Sequence, residues 1–129
     1  MSQNSTEPVE KQQVAAILDE VAQLLELDGA NPFEVRAYQN GSRAIAGLEG
    51  DIGDIVATGG LVGVPGLGKT LVARISELVT TGHMRIHDEL MDRIPPGLRQ
   101  MLRIPGLGAK RIRQINQALQ VTTLDELRQ

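Results

Sequence analysis

Val64-Pro65-Gly66-Leu67-Gly68-Lys69 and Ile104-Pro105-Gly106-Leu107-Gly108-Ala109 lie forty residues apart and are nearly identical. Repetition of a whole unit sets an architecture before any other signal is read. In each copy an apolar residue and a proline lead into Gly-Leu-Gly. Apolar residues at helical spacing follow at once: Leu71, Val72, Ile75 and Leu78 after the first copy, Ile112, Ile115 and Leu119 after the second. Two glycines flanking one apolar residue allow a tight turn whose leucine points inward while the backbone stays bare. Bare amides at the start of a helix form a site for phosphate.

The repeated unit therefore reads as a helix-hairpin-helix, a device that grips a nucleic-acid backbone without reading bases. Its expected contact residues are Gly66, Gly68, Lys69 and Thr70 in the first copy, and Arg103, Gly106, Gly108, Ala109, Lys110, Arg111 and Arg113 in the second. Gly63 to Thr70 also satisfies the nucleotide-binding pattern GxxxxGK[ST], the signature of an ATPase or GTPase. That pattern has physical meaning only between a buried strand and a helix. Upstream, Ile55 to Val62 is broken by Gly59-Gly60, and downstream no apolar run ends in an aspartate that could hold magnesium. The second copy keeps the turn but carries Ala109-Lys110 in place of Lys-Thr. A P-loop is the alternative to a DNA-binding module, and a helical protein-interaction module is a third.

Charge looks unfavourable for a nucleic-acid partner until it is divided. Residues 1–63 hold three basic side chains against ten acidic ones, a balance of −7, whereas residues 64–129 hold ten basic against six acidic, a balance of +4. Arg93, Arg99, Arg103, Lys110, Arg111 and Arg113 fall in a stretch from Arg93 to Leu124 without Asp or Glu. That block coincides with the second hairpin, where an electrostatic footprint for phosphates belongs. Phe33 and Tyr38 are the only aromatics and cysteine is absent, so aliphatic residues must build the core and no disulfide or thiolate metal site exists. His83 and His87 are four apart but lack a clear third ligand, so zinc is not expected. No apolar stretch approaches the ~20 residues that span a bilayer, and the N-terminus lacks a signal peptide's pattern. The expectation is a monomeric protein of the cytoplasm, associated with the nucleoid and not with a membrane.

Periodicity predicts an all-α fold, a compact helical domain with two helix-hairpin-helix motifs related by the repeat. Val14, Ile17, Leu18, Val21, Leu24 and Leu25 trace one helix face ending near Leu27 or Gly29. Asn31-Pro32 starts the next helix as cap and first residue, with Phe33, Ala37, Ala44, Ile45 and Leu48 as its apolar face, weakened by Gly41. Shorter helices follow at 51–57, 69–80 and 86–93, the last stopped before Pro95-Pro96. Leu98 to Leu102 and Ala109 to Leu119 form the second hairpin's arms, and Thr123 to Glu126 reads as a capping box for a final helix. Three segments are expected: a flexible N-terminus at 1–10, a helical domain with the first hairpin at 11–82, and a second hairpin domain at 83–129.

Asn31-Pro32-Phe33, Arg36-Ala37-Tyr38, Arg43-Ala44-Ile45, Val64 to Gly68, Pro96-Gly97-Leu98 and Ile104 to Gly108, in this order, resemble the N-terminal region of bacterial family X DNA polymerases. The resemblance implies a lyase-like helical domain contacting the downstream side of gapped DNA and a second hairpin contacting the upstream duplex. It implies no tightly bound cofactor, but a monovalent cation, Na+ or K+, at each hairpin with DNA. Its ligands would be backbone carbonyls of Val62, Val64 and Leu67, and of Leu102, Ile104 and Leu107. It also places Tyr38 in a 5′-phosphate pocket, whose basic positions here fall on Glu34 and Thr70. Polymerisation needs a palm domain with three metal-binding aspartates, which this chain lacks, so no enzymatic activity is expected of it alone. Some relatives remove 5′-deoxyribose phosphate through a lysine Schiff base, and Arg74 occupies that position. Arginine stays protonated and cannot form the imine. Borohydride should therefore trap no covalent adduct between this chain and a 5′-deoxyribose phosphate end; a robust adduct would show that another amine, Lys69 first, has taken the role.

Overall fold

The computed structural model describes residues 9–128, with side chains described through Leu119. Most of the segment expected to be flexible, residues 1–8, lies outside the described residues. Helices α1 (Lys11–Leu27) and α2 (Pro32–Ala46) come first, then α3 (Ile52–Ala57), α4 (Lys69–Thr81), α5 (Arg85–Arg93), α6 (Pro96–Met101) and α7 (Ala109–Arg128). No strand occurs among the described residues. The GxxxxGK[ST] match accordingly follows helix α3 and its turn, without the strand that a P-loop requires.

Local chemistry explains most boundaries. Asn31 Oδ1 accepts the Phe33 amide at 2.7 Å, with Pro32 at the first helical position. Asp51 Oδ2 accepts the Asp54 amide at 3.0 Å to start α3, and Gly82, at φ +83°, ends α4 in the left-handed region. Ile94 is extended before Pro95, so α5 stops there, and α6 starts at Pro96, two residues earlier than the apolar pattern indicates.

The core is built around α1, whose Val14, Leu18, Val21 and Leu24 are at most 1% exposed. α2, α4, α5 and α7 all pack on it. The α1–α2 pair is antiparallel: Ser42, late in α2, donates its hydroxyl to the carbonyl of Ala15, early in α1, at 2.7 Å, and Lys11 Nζ reaches Leu48 O. That bond satisfies a hydroxyl that would otherwise be costly at 5% exposure.

Three sequence-based expectations need correction. The buried face of α2 is Val35, Tyr38, Gly41, Ser42 and Ile45; Phe33 is 76% exposed and Ala37 is exposed as well. Small residues at 41 and 42 let α1 and α4 come close, which fixes the helix's rotation and turns Phe33 outward. In α7, Ala109 and Ile112 are buried, whereas Ile115 and Leu119 are 38% and 61% exposed. Finally, the backbone of α7 runs unbroken to Arg128, so no new helix starts at Thr123; no Gly or Pro lies between Ala109 and Arg128 to stop it. The capping side chains there lie outside those described.

Gly41 is glycine for space. A Cβ there would sit 2.5 Å from Leu71 Cδ1, and Leu71 is itself 3% exposed and unable to retreat. Gly41→Val should lower unfolding free energy by about 1–3 kcal/mol through overpacking. Urea denaturation followed by circular dichroism measures this, and an unchanged midpoint would show that α4 can shift away.

Candidate nucleic-acid interface

The two turns are built from the same hydrogen bonds, displaced by forty residues. Amides of Val64, Leu67 and Val72 donate to carbonyls of Leu61, Val64 and Gly68 at 3.2, 3.1 and 3.0 Å; those of Ile104, Leu107 and Ile112 donate to Met101, Ile104 and Gly108 at 3.1, 3.1 and 3.0 Å. Gly66 and Gly106 both take positive φ, +91° and +82°, a conformation other residues rarely adopt. The sequence repeat is thus a repeat of backbone geometry.

What each turn presents is the start of a long helix. α1, α2 and α3 begin with side chains engaged at their caps, Gln13 Oε1 with the Glu10 amide, Asn31 with Phe33 and Asp51 with Asp54. The first amide of α5, from Arg85, donates to Glu77 Oε2 at 3.0 Å. α4 and α7 instead begin at Gly68 and Gly108, which have no side chain to fold back on the leading amides. A Cβ at either glycine would meet nothing within 4 Å. The space over both helix starts is open, and the orphan N–H groups and positive helix ends favour an anion there. Gly66 differs: a Cβ there would lie 3.3 Å from Ala44 Cβ and 3.6 Å from Asn40 O, so this glycine docks the first turn onto α2.

The flanking cations divide unequally. Lys69 and Thr70 are exposed beside the first turn, above a shallow groove of about 320 Å³ shared with Ala73, Arg74 and Glu77. Arg74 is half-buried, its Nε without a hydrogen-bond partner among the described residues. Arg103, Lys110 and Arg111 are exposed around the second turn, while Ala109, 5% exposed, presents only its backbone. Arg113 points inward instead: its Nε is buried, and its Nη1 lies 3.3 Å from the position of a Cβ at Gly29. Arg93 is paired with Asp28 at 2.9 Å, and Arg99 Nε donates to Ile94 O at 3.3 Å. Of the six basic residues in the acid-free stretch, three remain outward at the hairpin.

Tyr38 sits in the core at 3% exposure, leaving its ring no open face. His83 and His87 both approach Asp88, each with its Nδ1 3.9 Å from a carboxylate oxygen, and His87 Nε2 contacts Glu20 Oε1; no group of three His, Cys, Asp or Glu residues able to hold a metal occurs among the described residues. Among the proposed carbonyl donors, those of Val64 and Ile104 each accept one turn hydrogen bond and keep a second lone pair. Phe33, which the apolar pattern had placed inward, carries the Arg36 guanidinium over its ring, 5.1 Å from the centroid. The signal available in sequence was its place in the first turn after Pro32, before the inward face begins.

Residues 9–84 match a family described as "Helix-hairpin-helix domain". The chain belongs to this helix-hairpin-helix family. It is also 30% identical over 119 residues to the "DNA polymerase/3'-5' exonuclease PolX" of Bacillus subtilis (strain 168), an alignment covering 92% of this chain and 20% of that protein. The chain spans about a fifth of the length of that relative. The family match covers the first hairpin; the second lies beyond residue 84 and is recognised here by its identical turn.

Three exposed cations at the second hairpin against Lys69 at the first predict that the second is the stronger anion grip, since with a Debye length of about 8 Å local balance outweighs total charge. Lys110→Ala with Arg111→Ala should flatten the salt dependence of DNA binding, measured as log K against log salt, by about two. Lys69→Ala should flatten it by about one or less. A larger loss from the first hairpin, in variants that stay folded by circular dichroism, would invert this ranking.

Proposed function

We propose that the chain is a non-enzymatic module that binds DNA through its backbone, without sequence preference, as the N-terminal DNA-gripping part of a family X repair polymerase. The observation that carries this is the pair of uncapped helix starts at Gly68 and Gly108, open to solvent and set on identical turns forty residues apart. Each can seat one phosphate on N–H donors, while Lys69, Arg103, Lys110 and Arg111 neutralise neighbouring phosphates. Neither turn, Val64 to Thr70 or Ile104 to Arg111, itself carries an aromatic or amide side chain to read base edges, so its contacts position without specifying. Phe33 with Arg36 adds an exposed stacking surface on α2 that suits an unpaired base.

The segment 11–82 then acts as one DNA-binding unit and 83–129 as the second, on a monomer that serves gapped or continuous duplex in the cytoplasm. Carbonyls of Val62, Val64 and Leu67, and of Leu102, Ile104 and Leu107, would hold a K+ or Na+, which would supply charge neutralisation where backbone oxygens otherwise face a phosphate.

Fluorescence titration of labelled duplex or gapped DNA tests the function. The dissociation constant should be about 10⁻⁴ to 10⁻⁶ M, as for backbone-only contacts, with a slope of about −3 to −4 for three to four neutralised phosphates. Permuting the bases should leave both unchanged. Salt-insensitive binding, strong sequence preference, or no binding at low salt would overturn the proposal.

A further inference from the structure

Two polar contacts join α5 to the C-terminal half of α1 and its cap: Glu20 meets His87, and Asp28 meets Arg93 at the end of α5. Beside them Arg113 of α7 comes close to the turn at Gly29, its Nη1 3.3 Å from where a Cβ there would stand. From Glu20 to Asp28 is eight residues, about 12 Å of helix, and from His87 to Arg93 six residues, about 9 Å. The two pairs therefore run in the same direction, and α5 lies parallel to α1 along a seam. At the seam's end, two guanidinium groups from separate helices converge on Asp28-Gly29. This is where α1 terminates, with Asp28 as its C-cap and Gly29 at φ +82°. The carbonyl end of a helix carries negative partial charge, so both cations are placed favourably. Arg113 reaches this point because α7 is rolled relative to α4: its counterpart forty residues earlier, Ala73, is exposed.

We infer that Asp28, Arg93 and Arg113 form a latch that fixes the second hairpin relative to the first, so that one DNA molecule engages both helix starts at once. This rests on the proposed DNA-binding function. None of the three needs to touch DNA; they are positioning residues. Two grips held in register convert the second contact into an intramolecular one, and a loosened latch lowers that effective concentration without altering either grip. The first hairpin is fixed by apolar packing of Gly66 and Leu71 against α2, whereas the latch relies on charge.

Asp28→Asn separates this from simple electrostatics. Removing an acidic side chain should tighten binding of a polyanion, or leave it unchanged, if Asp28 acts only through its charge. Loss of the latch should instead weaken duplex binding about two- to fivefold, the range of a partly exposed ion pair. Asp28→Glu should largely restore it. In a Lys110→Ala, Arg111→Ala background, where the second grip is already impaired, Asp28→Asn should have no further effect. A second measurement reads the latch without DNA. The chain has no cysteine, so spin labels on cysteines introduced at exposed Glu49 and Gln117 report the distance between the two halves. The distribution should broaden in Asp28→Asn and stay narrow in Asp28→Glu. Equal or tighter binding by Asp28→Asn, or an unchanged distance distribution, overturns the latch while leaving DNA binding intact. Failure of the unaltered chain to bind DNA at low salt would overturn the function and the latch's role together.

Discussion

The structure depends on covering one helix. α1 buries Val14, Leu18, Val21, Leu24 and Leu25, and four other helices obtain their positions by packing on it. Each of those side chains contributes about 1.5–3 kcal/mol when withdrawn from water. With only two aromatics in the chain, few alternative clusters of comparable size can form. A helix with so wide an apolar face cannot stand alone, and the antiparallel α2, tied by the Ser42–Ala15 hydrogen bond, runs back along it. The remaining surface receives α4 from the first hairpin and α5 and α7 from the second. The placement of both open helix starts is therefore a by-product of how two copies of one turn are mounted on one helix.

The mountings differ. Around the first turn, Leu61, Leu67, Leu71, Ile75 and Leu78 are all buried, and Gly66 and Gly41 allow direct contact with α2. At matching places in the second copy stand Met101 and Leu107, half-buried, and Arg111 and Ile115, exposed. α7 turns a different face inward, with Ala109, Ile112 and Arg113 on the side that in α4 carries Lys69, Val72 and Ala73. One backbone motif thus serves two electrostatic roles: a first hairpin embedded in apolar packing with a single outward lysine, and a second held partly by charge with three outward cations. Preserved turn geometry keeps both helix starts open, because the glycines that remove capping side chains also clear the approach.

A basic stretch that looks uniform in sequence is divided by the fold into contacts of different kinds. Arg93 pairs with Asp28, Arg99 caps a carbonyl, Arg113 lies against the end of α1, and Arg103, Lys110 and Arg111 face water. The acidic first half of the chain supplies the partner for Arg93, so the opposite charges of the two halves help to join them before any ligand is present.

The sequence by itself determined the all-helical class, the repeated turn and nearly every helix boundary. These rest on interactions within a few residues: Asn31 on Phe33, Asp51 on Asp54, Gly82 leaving the helix, Pro95 excluding helical torsions at Ile94. It also marked Gly68 and Gly108 as uncapped helix starts, since the absence of a side chain needs no partner to be true. Only the tertiary structure decided which face of each helix is buried. Phe33 and Ile115 read as core because they are apolar and suitably spaced, yet both are exposed; Arg113 reads as a surface cation, yet it turns toward α1. Periodicity gives a helix an apolar side to within one or two residues, roughly 100° of rotation each. The final rotation is set by small residues such as Gly41 and Ser42, and by where α1 ends, which are distant in sequence from the side chains they orient.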